Sequence, residues 1–439
     1  METFTTYEEY LKWFRKTSSM TPLPKDQFYR SVRYQNPTPS TKQVSQKINS
    51  NTQSPSSMNN YNVIMLGASG SGKTVFLASM FHELSTQGNR GFFLRSEGKD
   101  EQKRLTKIYE EVVLEQSWPQ GTKAAEVSEW KFTCFVQKKD LTIFPACQFT
   151  FVDYAGGRLT EIDDESESDN EFEEAVSKSD TLLGLLDGTK VLNALRGDGF
   201  AWNKLVLKDL PPILQKMQFT KVPIHFLISK WDLIEGEFTL TQVRELLLKD
   251  EHFKNIVESR REAGFPVRLI PVSSVGKGFA EPQSDGRMLK TGISPKPFQV
   301  EMPLSCVVPD MMEGMLNEFN RQKKLEAAKE VEIKANLNFL DRSLQIIGGS
   351  LGFVRIFLPE KYQFNEFFWE KAGKFVASGA NRKVEEANKR TEELRQERDE
   401  SLKRIDSQAT ALEHTINSFL FIRNILDYTF PDSDLRVSE

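Results

Sequence analysis

The sequence predicts an α/β fold: a mainly parallel sheet flanked by helices, followed by a helical C-terminal arm. Three observations predict it. Residues Gly67 to Thr74 read G-x-x-x-x-G-K-T between a strand-like apolar run, Tyr61–Leu66, and a helix-like run, Val75–Phe81. Three further apolar runs, Phe149–Val152, Ile224–Ile228 and Val267–Val272, each end in a polar motif. Helix formers then dominate Asn320–Asn336 and the charged stretch from Arg382 to about Tyr428.

The chain opens with a segment, residues 1–35, in which Tyr7–Phe14 has the pattern of a short amphipathic helix with an aromatic face. Residues 36–59 are rich in Ser, Thr, Asn, Gln and Pro, too polar to bury much, and read as a flexible linker. The glycine-rich octapeptide follows. Glycines let the backbone curl so that several N–H groups face one anion, and the helix behind adds its partial positive charge. Gly67, Ala68, Ser69, Gly70, Ser71, Gly72, Lys73, Thr74 and Val75 are therefore candidate phosphate-binding residues. Lys73 has the reach to contact β- and γ-phosphates, and the Thr74 hydroxyl suits Mg²⁺.

The next strand ends in Asp153, with Gly156 at D-x-x-G spacing. An acid there is placed to hold Mg²⁺ beside Thr74, and the Gly156 N–H is free to approach a γ-phosphate. The third run leads into Ser229-Lys230-Trp231-Asp232. This resembles the N/T-K-x-D guanine-recognition motif of GTPases, which implies that the Asp232 carboxylate accepts two hydrogen bonds from guanine that adenine does not offer, while Lys230 lays its stem along the base. The fourth run leads into Ser273-Ser274-Val275, which resembles the last GTPase motif, S-A-K, with Ser274 and Val275 in place of Ala and Lys; the resemblance implies that its backbone N–H groups contact the guanine carbonyl. All four motifs sit at the C-terminal ends of strands, where open α/β sheets bind ligands.

With these motifs in this order, residues 60–322 resemble P-loop GTPases of the translation-factor-related class that includes Ras-like proteins. Within it they are similar to a bacterial branch, the prokaryotic double-GTPase domain family. Trp118-Pro119-Gln120-Gly121-Thr122, the strand Thr181–Thr189 and Pro297–Leu304 carry that second likeness. The resemblance implies a Ras-like sheet and a molecular switch that binds GTP or GDP with Mg²⁺, hydrolyses GTP and couples its state to a partner protein. It also implies a setting in bacterial signalling or phage defence. It nominates Thr122 as the switch threonine sensing Mg²⁺ and γ-phosphate; a solvent-exposed turn is the other reading. Lys73, Thr122, Gly156 and Arg158 are the candidate catalytic residues. Two departures stand out. Ser229 replaces the usual Asn, and Gly157 occupies the place of the water-orienting Gln, which implies slow turnover. Arg158 is either a charge stabiliser in cis or a surface arginine. The alternatives to a GTPase are a P-loop ATPase and a scaffold that binds nucleotide without hydrolysing it.

Net charge is −4, so no nucleic-acid footprint is evident. Three cysteines without pairing or metal spacing fit a reducing cytoplasm. No stretch is long and apolar enough to span a bilayer. The acidic run Glu161–Glu174 is either a solvated loop or a docking strip for a basic partner. Residues 323–439 read as a helical region, and Leu344–Pro359 as a buried hairpin or an interface. In 382–428 the residues Val384, Ala387, Leu394, Leu402, Ile405, Ala409, Leu412, Ile416 and Phe419 follow a roughly 3-4 alternation. That seam serves either an intermolecular coiled coil, and hence self-association, or a hairpin within the chain.

Overall fold

The computed structural model describes residues 58–115, 118–119, 127–154, 173–218, 220–283, 288–336 and 384–436. The expected N-terminal helix, nearly all of the polar linker, Thr122, Gly156, Gly157, Arg158, most of the acidic run and the Leu344–Pro359 segment lie outside them.

In chain order the main strands are β1 (Asn60–Gly67), β2 (Phe93–Ser96), β3 (Val127–Gln137), β4 (Ile143–Tyr154), β5 (Thr181–Leu186), β6 (Ile224–Ile228) and β7 (Val267–Pro271). They form one seven-stranded sheet in the order β2-β3-β4-β1-β5-β6-β7. The pairings β4–β1, β1–β5, β5–β6 and β6–β7 are parallel, whereas β2–β3 and β3–β4 are antiparallel. Strand order reverses about β1, so the crevice for a ligand opens at its C-terminal end.

The parallel strands are covered on both faces, which is why they read as unbroken apolar runs rather than alternating ones. Tyr61, Val63, Met65, Phe149, Phe151, Leu183 and Leu185 face one core, with α1 (Lys73–Glu83) and α2 (Lys99–Leu114). Ile64, Leu66, Leu182, Leu186, Phe226 and Ile228 face the other. That second core is closed by α3 (Gly188–Leu195), α4 (Gly199–Lys204), α5 (Leu210–Met217), α6 (Leu240–Leu247) and α7 (Glu251–Ala263). A short antiparallel pair, β8 (Ala280–Pro282) and β9 (Met288–Lys290), follows β7.

The C-terminal helices are α8 (Met302–Asn336), α9 (Val384–Lys403) and α10 (Gln408–Thr429). Two expectations are corrected here. The helix foreseen over 382–428 is broken between Lys403 and Gln408, because Ser407 and Thr410 form a reciprocal cap that starts α10 afresh. Among the described seam residues, most face the molecule's own interior, whereas Ala409 is exposed. Leu394, Ile416 and Phe419 join the core beneath β1 and β4, while Ile405 and Ala411 pack with Val136 and Ala146. The boundary placed between 322 and 323 falls inside α8, which runs through it without interruption.

What fixes α10 to the sheet is a buried ionic cluster. Asp310 of α8 accepts from Arg268 Nε of β7 at 2.5 Å and Nη2 at 3.0 Å, and its carboxylate lies 2.9 Å from Arg423 Nε of α10 in an ion pair. His225 Nε2 lies 2.8 Å from the same carboxylate. The Arg268, Asp310, Arg423 and His225 side chains are all buried. Arg268 also bonds Asp427 at 2.6 Å, and Glu313 pairs with both Arg423 and Arg436. The terminal segment closes the β7 edge: Leu435 N donates to Val267 O at 2.9 Å. An edge left open there would present unpaired backbone groups. Burial raises the Asp310 pKa, but Arg268, Arg423 and His225 outweigh it and hold the carboxyl far below the usual range. The stability it contributes is present at neutral pH and lost as pH falls through and below that range.

Asp310→Asn should therefore cost on the order of 3–5 kcal/mol, because buried arginines lose their counter-charge. Glu237→Gln, which removes the exposed pair with Arg196, should cost far less, because solvent screens such a pair. Chemical denaturation at pH 7 checks both; equal costs would remove the cluster from its role.

Candidate nucleotide site

The loop from Gly67 to Thr74 leaves the end of β1, the strand next to the sheet's switch point. Gly70 and Gly72 take left-handed conformations, φ 78° and 95°, which side-chain-bearing residues rarely adopt. A Cβ on Gly67 would lie 2.9 Å from both Leu185 O and Ser71 Oγ, so the loop base accepts only glycine without adjustment. Helix α1 starts with Gly72 as its N-cap, with no side-chain cap and no acid in its first turn. By contrast, Asp187, Asp198, Thr239, Asp250 and Ser407 cap α3, α4, α6, α7 and α10 with their own side chains. Helices α2 and α5 also lack a side-chain cap, but α1 alone of these follows the glycine-rich loop, where its first N–H groups are available to an anion.

Lys73 is buried, and its Nζ donates to Gly67 O at 2.8 Å and reaches Ala68 O at 3.5 Å. Burial lowers its pKa, opposed by Asp153. The loop thus holds an ammonium at its own mouth, bonded to carbonyls that a phosphate would replace. Thr74 Oγ1 donates to Asp153 Oδ2 at 3.3 Å. Asp153 reaches this point because Met65 and Asp153 are register partners on β1 and β4. Its other oxygen, Oδ1, is buried without a hydrogen-bond partner, as is Ser71 Oγ. Burial raises the Asp153 pKa to about 6, against Lys73, Thr74 and Arg104. Arg104 also stacks on Trp130.

An unpartnered buried carboxylate oxygen beside a threonine hydroxyl suits a hard cation that takes oxygen ligands. Thr74 and Asp153 would hold Mg²⁺, which supplies charge neutralisation for phosphate oxygens when bound. Among the described residues no group of three His, Cys, Asp or Glu side chains forms a self-sufficient metal site. A cation here would complete its shell with phosphate and water.

Register carries the site sideways along the sheet: Gly67 pairs with Leu185, Leu186 with Ile228, and Ile228 with Pro271. The loops after β6 and β7 therefore meet. Trp231 N donates to Val272 O at 3.0 Å, and Val272 N to Ile228 O at 2.9 Å. Asp232 Oδ1 accepts from Ser273 Oγ at 2.5 Å, while Ser273 Oγ itself takes Gly276 N at 2.8 Å. Burial raises the Asp232 pKa and the Ser273 bond opposes it. Ser79 Oγ of α1 donates to Ser274 O at 2.8 Å, tying the phosphate-loop helix to this second loop. Val275 and Val75 both pack against the small core of Val112, Phe279 and Ala280. Ser229, which stands where the family pattern has Asn, donates its hydroxyl to Leu186 O at 3.0 Å, a brace to β5.

Residues 64–198 match the family model Double-GTPase 1. They form a double-GTPase domain. A search of curated proteins finds no match. The matched part of the double-GTPase domain holds Gly67–Thr74 and Asp153; the Ser229–Asp232 and Ser273–Val275 loops lie beyond it, on the same sheet edge. Membership implies guanine-nucleotide binding. Among the described residues of the chain, no helix is long and apolar enough to cross a membrane.

Two features went unread in the sequence. Trp118 Nε1 donates to Met288 O at 2.8 Å, so β9 anchors the entrance to the segment containing Thr122. Asp187, at the end of β5, pairs with Lys230. Its signal was present, an acid followed by glycine just past the end of an apolar strand.

The raised Asp153 pKa has a sign. The folded, nucleotide-free chain favours the neutral acid, so ionisation penalises folding as pH rises from the ordinary value of 3.8 to about 6. At neutral pH that penalty is on the order of 3 kcal/mol. Asp153→Asn should raise the melting temperature of the nucleotide-free protein at pH 7.5, with the gain shrinking by pH 5. A variant less stable than wild type at pH 7.5 would contradict this reading.

Proposed function

We propose that the protein is a GTP-dependent molecular switch. It binds GTP with Mg²⁺ and hydrolyses it slowly to GDP and phosphate, coupling the nucleotide state to a partner protein. The observation that carries the choice of base is Asp232, presented at the strand-end edge with Ser273 holding one carboxylate oxygen. A carboxylate fixed there accepts from the paired donors of guanine and is left unsatisfied by adenine.

On this reading each of the chain's own residues has a task. The uncapped start of α1 and the loop N–H groups bind the phosphates. Lys73 exchanges its carbonyl partners for phosphate oxygens and keeps positive charge where negative charge gathers during transfer. Thr74 and Asp153 hold the cation. Thr122, Gly156 and Arg158 keep their proposed switch and catalytic roles. Coupling to a partner has a physical route, because Leu304 and Met311 of α8 share a core with Met65 of β1 and Phe151 of β4, the strands that carry Gly67 and Asp153.

Calorimetric titration of the purified protein tests the reading. GTP should bind far more tightly than ATP, and Asp232→Asn should shift preference toward xanthosine triphosphate, whose ring has a carbonyl where guanine has an amine. Lys73→Ala should weaken every nucleotide, since a charge-assisted contact of about 1.5–3 kcal/mol is lost. ATP binding as tight as GTP would overturn the choice of base. Phosphate release should proceed on the order of 10⁻⁴–10⁻² s⁻¹, the range of unassisted GTPases. No release over a day would leave a nucleotide-binding scaffold.

A further inference from the structure

Asp187-Gly188-Thr189 forms the turn that ends β5 and starts α3, between the phosphate loop and the base-reading loop. Asp187 Oδ1 accepts from Thr189 N at 3.0 Å, capping α3, and from Lys230 Nζ at 2.8 Å. Lys230 Nζ also reaches Thr189 Oγ1 at 3.5 Å. The ion pair is partly sheltered, with Asp187 14% and Lys230 31% exposed. Backbone contact reinforces it. Ser229 N and Ser229 Oγ each donate to Leu186 O at 3.0 Å. A Cβ on Gly188 would lie 1.9 Å from Ser229 O, so the two loops are in contact main chain to main chain.

Lys230 needs such support. Its φ is 52°, the left-handed region that an L residue with a long side chain avoids. That conformation turns the chain sharply between Ser229 and Trp231, and Asp232 follows directly. The far side of the loop is pinned by Trp231 N on Val272 O and by Ser273 on Asp232. The near side is pinned by the 187–189 turn.

We propose that Asp187 is a positioning residue for base selection: its carboxylate locks Lys230 into the left-handed turn and so sets where the Asp232 carboxylate stands. This rests on the reading that Asp232 recognises guanine. It also explains how the chain tolerates Ser229. The bracing is supplied from the end of β5, through Leu186 O and Asp187, instead of by a longer residue 229 side chain. A residue with this role acts on the base and not on the phosphates, because Lys73, Thr74 and Asp153 are held by contacts of their own.

Asp187→Asn separates the two duties of the side chain. It keeps an oxygen to accept from Thr189 N, so α3 stays capped, and removes the charge that holds Lys230. Binding of GTP, ATP and inorganic triphosphate to the full chain is measured by calorimetry, with Lys230→Met and the double variant alongside. GTP affinity should fall about five- to tenfold in Asp187→Asn, with ATP and triphosphate changed less than about twofold. Lys230→Met should do the same, and the double variant should lose no more than either single change, since both break one interaction. Should Asp187→Asn fold poorly, the Lys230→Met titration reads the same pair from its other end. An unchanged GTP-to-ATP ratio in these variants, a parallel loss for all three ligands, or additive effects would overturn the proposal. Equal GTP and ATP affinity in the wild type would instead overturn the reading of Asp232 beneath it.

Discussion

Parallel pairing about β1 is the constraint on which the rest of the structure depends. In a parallel sheet every strand delivers its C-terminal end to the same edge. Met65 opposite Asp153, Gly67 opposite Leu185, Leu186 opposite Ile228, and Ile228 opposite Pro271 step that edge across the strands. Loops 41 to 79 residues apart in the chain thereby meet in order. Thr74 finds Asp153, Lys230 finds Asp187, and Asp232 finds Ser273. A one-residue slip of β4 would turn Asp153 to the opposite face and expose Phe149 and Phe151, so the apolar core enforces the polar geometry.

The C-terminal helices serve the same constraint from beneath. Phe419 stacks edge-on against Phe92 and Phe149, and α10 completes the core under β1 and β4. A helix so deeply placed needs its polar side chains satisfied. Asp310 gathers Arg268, Arg423 and His225 near the starts of β6 and β7, at the end of the sheet away from the nucleotide loops. Pairs of this kind contribute less to net stability than their geometry suggests, but removing one partner is costly. They define a single docking position for α10. The helices are thus part of the body that holds the site.

Much of this was legible in the sequence. The Gly67–Thr74 loop, Asp153, the Ser229–Asp232 loop and the Ser273–Val275 loop stand out as polar motifs at the ends of apolar runs, and the structure brings them to one sheet edge. The two-faced burial of β1 and β5 shows as unbroken apolar runs. What stayed hidden depends on pairs distant in the chain. Nothing near Arg423 in sequence says that its partner is Asp310. The heptad-like seam in 382–428 carries no mark of whether its partner is another copy or the chain's own core. Ser407 and Thr410 are ordinary in a polar stretch until their reciprocal cap breaks the helix. Asp187 was hidden for the same reason: its meaning is Lys230, brought close only by the pairing of β5 with β6.

In the proposed reading the double-GTPase domain supplies the phosphate end of the site, and the two loops beyond it complete the edge. The claim that these are halves of one guanine-nucleotide site is tested most directly by a crystal structure of the complex with GDP and Mg²⁺. The account predicts the phosphates within the Gly67–Thr74 loop on Lys73, and the guanine ring with its N1–H and amine on the Asp232 carboxylate. A nucleotide whose phosphates sit there while its base lies away from Asp232 would contradict it.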